Sequence, residues 1–177
     1  MRSTLPNVKF QTRVRDESIE GDNPFRWEIR DTASYFAGKK SILFSLPGAF
    51  TPTCSTFQLP NFETLFPHFQ EEGIDSIYCI SVNDAFVMNA WAKDQGIQNV
   101  QVIPDGSGRF TRKMGMLVEK DNLGFGFRSW RYAVVVDDMQ VVQSFVEPGF
   151  CDNAEDDPYG VTDPYNILEA IRNVETV

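Results

Sequence analysis

Apolar and polar residues alternate with a period of two over residues 8–14 (VKFQTRV) and again over 25–30 (FRWEIR), with polar, turn-rich DESIEGDNP between them. The two runs predict an N-terminal β-hairpin with one polar face. Residues 41–46 and 74–82 (IDSIYCISV) are instead near-continuous apolar runs of strand length, as central strands require. Residues 32–37 predict one helical turn closed by Gly38. From Pro52 onward, the spacing of Phe57, Phe62, Leu65, Phe66 and Phe69 predicts a helix with one buried face, which Pro60 and Pro67 must kink or end. Asp84 is placed to cap a helix through Gln95 that Gly96 ends. A short strand at 100–103, the turn PDGSG and a helix over 109–114 follow. Strands at 132–136 and 141–146, joined across Asp137-Asp138, and a last helix from about Asp163-Pro164 to Val174 complete the chain. Strands alternating with helices, then a hairpin and a final helix, predict an α/β sandwich with a mixed central β-sheet flanked by helices, one domain over residues 1–177.

Composition narrows the function. A formal charge of −9 argues against nucleic acid or an anionic membrane as partner, since both need clustered Lys and Arg. No stretch reaches the roughly 18 apolar residues of a membrane span, and MRSTLPNVKF lacks the apolar core of a signal peptide, so a cytoplasmic location is expected. Three cysteines, at 54, 79 and 151, with no CxxC pair, point to free or redox-active thiols rather than a disulfide framework. With a single histidine, no metal site is expected. The acidic run DNAEDD lacks the spacing of a calcium loop and reads as solvated surface. GFGF does not lie between a strand and a helix, so no ligand is assigned to it.

The chemistry concentrates in ILFSLPGAFTPTCSTFQLP, residues 42–60. Pro47-Gly48 stops the strand, Thr51 reads as an N-cap with Pro52 at the first helical position, and Cys54 falls in the first turn. There, unpaired N–H groups and the helix dipole favour the thiolate, which is the nucleophile. Thr51 is expected to accept from the Cys54 N–H while its hydroxyl points at the sulfur or at substrate. A cysteine hydrolase would need His68 as base, but fourteen residues of continuous helix put it roughly 21 Å away. The cation for Cys54 therefore has to come from elsewhere, and Arg128 and Arg131, where a loop enters a strand, are the candidates.

PGAFTPTCS resembles the peroxidatic-cysteine motif of the peroxiredoxins, in the form that marks the atypical type II, or five-type, subgroup. The likeness continues through SVNDAFVMNAW, IPDGSGRFTRKMGM and LGFGFRSWRYAVVVDD, closest to the bacterial branch in which such a domain is sometimes fused to a glutaredoxin. The resemblance implies a thioredoxin fold. It implies a thiol-dependent peroxidase for hydrogen peroxide and alkyl hydroperoxides, in which Cys54 becomes a sulfenic acid without a metal or organic cofactor. Arg131 would contact both sulfur and peroxide, Thr51 would donate to the peroxide, and Pro47 would cover the site. The family pattern usually has a histidine where this chain has Gln58.

Regeneration has three routes by the same resemblance. Cys79 stands where plant members carry a second cysteine, although its strand setting also suits an inert buried thiol. Cys151 loosely resembles the late resolving cysteine of mammalian members. The third route is a one-cysteine cycle in which glutathione caps Cys54 and a glutaredoxin, or thioredoxin as another reductant, restores it. A homodimer is expected, with Phe125 and Phe127 as candidate contacts. The opposing reading is a peroxide sensor or chaperone-like binding protein whose thiol activity is incidental.

Overall fold

The computed structural model describes residues 1–175. A five-stranded sheet organises them, in the order β5 (Gln101–Pro104), β4 (Ser76–Ser81), β3 (Lys40–Ser45), β8 (Tyr132–Asp137), β9 (Gln140–Val146). β3, β4 and β5 are parallel neighbours, while β8 runs antiparallel to β3 and β9 antiparallel to β8. The expected N-terminal hairpin is present as β1 (Lys9–Arg15) and β2 (Phe25–Asp31), paired antiparallel.

Strand periodicity divides the core in two. Ile42, Phe44, Ile77, Cys79, Ala133 and Val135 face one side, with residues of α2 (Leu59–Glu71), α3 (Ala85–Gln95) and α5 (Pro164–Glu175). Leu43, Tyr78, Ile80, Tyr132, Val134 and Val136 face the other, with Phe10 of β1, Tyr35 and Phe36 of α1 (Thr32–Phe36) and Phe110 of α4 (Arg109–Lys113). This mixed sheet with helices on both faces is the thioredoxin fold.

Local signals placed most element ends. Asp84 accepts from the Val87 N–H at the start of α3, and Gly96 ends that helix in the left-handed region. The hairpin turn falls at Asp138-Met139, both at positive φ, one residue beyond the expected position because β8 extends through Asp137. A small hairpin, β6 (Leu117–Glu119) with β7 (Phe127–Ser129), was not predicted, since runs of three residues are too short to show a period.

The helix after Cys54 departs from expectation at Phe57. Phe57 does not share the buried face of Phe62, Leu65 and Phe69 but is exposed, and Leu59 takes its place in the core. The cause is a widened π-helical turn over Cys54–Gln58, in which the Leu59 N–H reaches back five residues to the Cys54 carbonyl. The extra residue rotates Phe57 off the face that 3.6-residue spacing predicts, and it relieves the crowding that the Pro60 ring would impose on the Thr56 carbonyl. The helix runs through Pro67 to Glu71, two residues past its expected end near Phe69.

Candidate active site

The site forms where the buried end of β3 meets the start of β8. Ser45 pairs with Tyr132 in the antiparallel register, so Leu46 and Pro47 continue β3 alongside Arg131 and Trp130. Seventy-seven residues of sequence separation disappear at that edge, and the Arg131 guanidinium reaches Cys54, its Nη1 donating to Sγ at 3.5 Å. Both residues are buried, Cys54 completely.

The turn that delivers the cysteine is held on both sides. Ala49 N–H donates to Asn83 Oδ1 at 3.0 Å, which anchors the turn to the loop after β4. Gly48 packs so closely that a Cβ there would lie 2.3 Å from Arg128 Nη1, and that same nitrogen donates to the Pro47 carbonyl at 3.2 Å. Partial burial lowers the Arg128 pKa, against the opposing charge of Cys54. The Thr51 hydroxyl donates to the Gly48 carbonyl at 2.7 Å, closing the turn on itself. Thr51 stands at the expected N-cap position, one residue before helical Pro52, but its side chain does not cap: the hydroxyl bonds Gly48 and accepts nothing from the Cys54 N–H, and the π-helical turn that begins at Cys54 has no side-chain cap bond either. The Thr51 carbonyl accepts from Ser55 N–H at 3.0 Å, so the helix is already under way at Cys54. Ser55 in turn accepts from Trp91 Nε1 at 2.9 Å, tying this helix to α3.

Arg131 is the hub. Its Nη1 also donates to Gln58 Oε1, and its Nη2 donates to both carboxylate oxygens of Asp157, at 2.8 and 2.9 Å. Burial works against the charged guanidinium, but Cys54 and Asp157 outweigh it and the Arg131 pKa is raised. Four residues after Cys54, Gln58 lies on the same helix face and is wholly buried. Its Nε2 and Arg131 Nε are buried donors without a partner among the described residues. The cluster thus retains hydrogen-bonding capacity beside the sulfur.

Two carboxylates that support this cluster carry no signal in the linear sequence. Asp157 belongs to the acidic run expected to be merely solvated. Glu147 sits across from Arg131 at the end of β9, its N–H donating to the Arg131 carbonyl. Its buried carboxylate accepts from Gly160 N–H, Thr162 N–H and the Thr162 hydroxyl at 2.5–3.0 Å, fixing the loop that carries Asp157. Beside the cluster lies a cavity of about 250 Å³ whose wall includes Pro47, Thr51, Pro52, Phe125 and Asp157.

Pro47, Thr51, Cys54 and Arg131 are therefore gathered at one place. The other two cysteines are not equivalent to Cys54. Cys79 is wholly buried in β4 on the same face of the sheet, and burial, with a smaller contribution from Cys54, pushes its thiol well above the ordinary value. Cys151 is exposed in the loop after β9. His68 is exposed on α2, its Nδ1 3.8 Å from Glu71. Among the described residues, no group of three or more His, Cys, Asp or Glu could hold a metal ion, and no helix is long and apolar enough to cross a membrane.

Comparison with known proteins follows this geometry closely. Residues 30–157 match the Redoxin family. A peroxiredoxin of Rhizobium etli is 65% identical over 172 residues, 97% of this chain and 96% of its own. Among solved structures, the Plasmodium falciparum antioxidant protein, a 1-Cys peroxiredoxin, aligns with a TM-score of 0.89 at 38% identity, covering 96% of this chain and 98% of that one. Reduced Prx3 of Vibrio vulnificus in complex with hydrogen peroxide aligns with a TM-score of 0.82 at 33% identity, covering 98% and 96%. The chain belongs to the peroxiredoxins, and its activity is that of a thiol-dependent peroxidase.

Proposed function

We propose that the chain reduces hydrogen peroxide and alkyl hydroperoxides through Cys54 in a one-cysteine cycle, with glutathione and a glutaredoxin as the reducing partners in the cytoplasm. The observation that carries this reading is the 3.5 Å contact from Arg131 to a wholly buried sulfur. The thiolate is the nucleophile, and a guanidinium stays charged at every accessible pH. The Cys54 thiolate attacks the nearer peroxide oxygen, the O–O bond breaks, and the leaving alkoxide or hydroxide takes up a proton as Cys54 becomes sulfenic acid. Arg131 and the Thr51 hydroxyl lie beside the path of the developing charge, the place where preorganised donors act. Pro47 covers the turn. No metal or organic cofactor enters the cycle.

The one-cysteine route is favoured by the setting of the other thiols. A thiol as buried as Cys79 is a poor attacking group, since attack on a sulfenic acid needs a thiolate with access to it. Cys151 is accessible in the loop after β9, and among the described residues no hydrogen bond or disulfide ties it to Cys54. The relative from Plasmodium falciparum, described as a 1-Cys peroxiredoxin, is in keeping with this route.

Peroxide consumption with dithiothreitol tests the assignment. The wild type should turn over and Cys54→Ser should fall by at least three orders of magnitude, the usual scale for losing a covalent nucleophile; a serine variant with wild-type turnover refutes it and supports the sensor or chaperone-like reading. Mass measurement after one equivalent of peroxide with glutathione should show an adduct on Cys54, whereas a loss of two hydrogens would assign an internal disulfide. A homodimer is part of the proposal, with exposed Phe127 and half-buried Phe125 at its contact. Truncating both to alanine should lower the mass measured by sedimentation at micromolar concentration, and an unchanged mass excludes that contact.

A further inference from the structure

We propose that the cavity beside Cys54 seats the reducing thiol and selects one carrying an α-amino acid head, with its carboxylate on Lys120 and its ammonium group toward Glu155 and Asp156. The inference rests on the thiol-recycled reading above and adds the chemistry by which the reductant is recognised.

Lys120 is the only basic residue in the cavity wall, and it is 3% exposed. Its ammonium forms no hydrogen bond or ion pair with any described residue; the recorded neighbour is the Trp130 ring, 5.7 Å from Nζ. The backbone beneath it is fixed, with Lys120 N–H donating to the Gly126 carbonyl at 2.7 Å and the Lys120 carbonyl accepting from Leu123 and Phe125. A cation so little exposed, which meets no acceptor from the described residues, opens only toward the cavity, and a carboxylate is the partner that would hold it there with a charge-assisted bond.

A simple anion is a poor match for the remainder of the wall. Glu155 and Asp156 line the same cavity and pair with no described residue, while Asp157 is already engaged by Arg131. In a chain of charge −9, one buried cation opposite two carboxylates suits a zwitterion. The apolar Leu123 and Phe125 are placed to cover a methylene stem. The seat adjoins the reacting sulfur, because Pro47, Thr51 and Pro52 of its wall belong to the turn that presents Cys54.

The step balances with two thiols. The first attacks the Cys54 sulfenic acid, so that an S–S bond forms as the S–O bond breaks, and the thiol proton leaves with the hydroxyl as water. A second thiol attacks the outer sulfur, returning Cys54 as thiol and releasing the disulfide of the reductant.

Wild type, Lys120→Met and Lys120→Arg would be oxidised with one equivalent of hydrogen peroxide and mixed with L-cysteine, N-acetylcysteine, cysteamine or 2-mercaptoethanol, each rate corrected for thiolate fraction. In the wild type, cysteine should outpace 2-mercaptoethanol on the order of tenfold, the scale of one charge-assisted bond, with N-acetylcysteine between them and cysteamine gaining nothing. The cysteine to 2-mercaptoethanol ratio should collapse toward one in Lys120→Met and return in Lys120→Arg. Should Lys120→Met not fold, Glu155→Gln with Asp156→Asn should bring cysteine down to the N-acetylcysteine rate. An equal ratio in wild type and Lys120→Met, or a wild type that reacts at one rate with all four thiols, overturns the site and leaves the peroxidase reading standing. An oxidised wild type that reacts with no thiol overturns the peroxidase reading itself.

Discussion

Asp157 holds both bonds of Arg131 Nη2, and its two effects on the cysteine oppose each other. Its charge repels a thiolate, yet its bidentate grip keeps the guanidinium aimed. Asp157 is 45% exposed at its side chain, so its charge is partly screened while its geometry is not. Positioning therefore outweighs repulsion. Asp157→Asn should slow the reaction with peroxide on the order of tenfold, the cost of misplacing one charge-assisted donor, without slowing alkylation of Cys54 by iodoacetamide at neutral pH. Stopped-flow and alkylation rates on the same sample would check this, and a parallel fall in both would mean that Asp157 acts through charge. Gly48 shows a second constraint at this scale, because the Arg128 nitrogen occupies the space where any Cβ would have to go.

Between elements, the device that matters is the carboxylate at the end of β9. Glu147 lies where the β8–β9 register brings it across from Arg131, and its bonds to Gly160, Thr162 and Val161 return the following loop to the site. Replacing it by glutamine puts an NH₂ group against those N–H donors and removes the charge. Glu147→Gln should lose about 1–3 kcal/mol of stability, the penalty for buried donors left unpaired. It should also raise hydrogen exchange across residues 151–162 and slow peroxide reduction through Asp157. Urea unfolding with exchange mass spectrometry measures both; protection unchanged in that loop would show that Glu147 does not hold it. The π-helical turn acts at the same scale by placing Cys54 and Gln58 together on the Arg131 side while rotating Phe57 outward.

For the molecule as a whole, neutral phenols and a neutral thiol in the two core layers, and a half-buried phenol in the loop before α5, set an alkaline limit. Burial pushes Tyr35 and Tyr159 up to about 12 and also raises Tyr132 and Cys79 above their ordinary values. In each, the unfolded chain ionises first and so binds fewer protons than the folded one, which makes stability fall as pH rises. The contribution of Cys79 is complete only below about pH 8.5, the unfolded thiol value, while the tyrosine contribution is complete below about pH 10 and is lost as pH climbs toward 12. Circular dichroism and the phenolate absorbance near 295 nm should change together across that window. With the exposed Tyr165 replaced by phenylalanine, phenolate appearing at pH 10 with the fold intact would contradict the burial of these rings.

Much of the arrangement was legible in the residue order because it depends on neighbours in sequence. Period-two alternation marks the first hairpin, unbroken apolar runs mark β3 and β4, Asp84 and Gly96 bracket α3, and Pro-Gly followed by Thr-Pro puts a cysteine at a helix start. Each is a local backbone preference or a face that must leave water, so no distant contact is needed to read it. The resemblance of PGAFTPTCS and SWRY then singled out Arg131. Tertiary structure alone decided what crosses long separations: that Arg131 abuts Cys54 through the β3–β8 register, and that Cys79 is sealed inside the sheet; the Thr51 hydroxyl took a local acceptor, the Gly48 carbonyl, over the Cys54 N–H. It also decided that a carboxylate from an acidic surface run steadies the guanidinium, and that Lys120 is buried in the wall of a cavity shared with the turn that presents Cys54. Charges have long reach and no period, so their partners are fixed only once the sheet has brought its edges together.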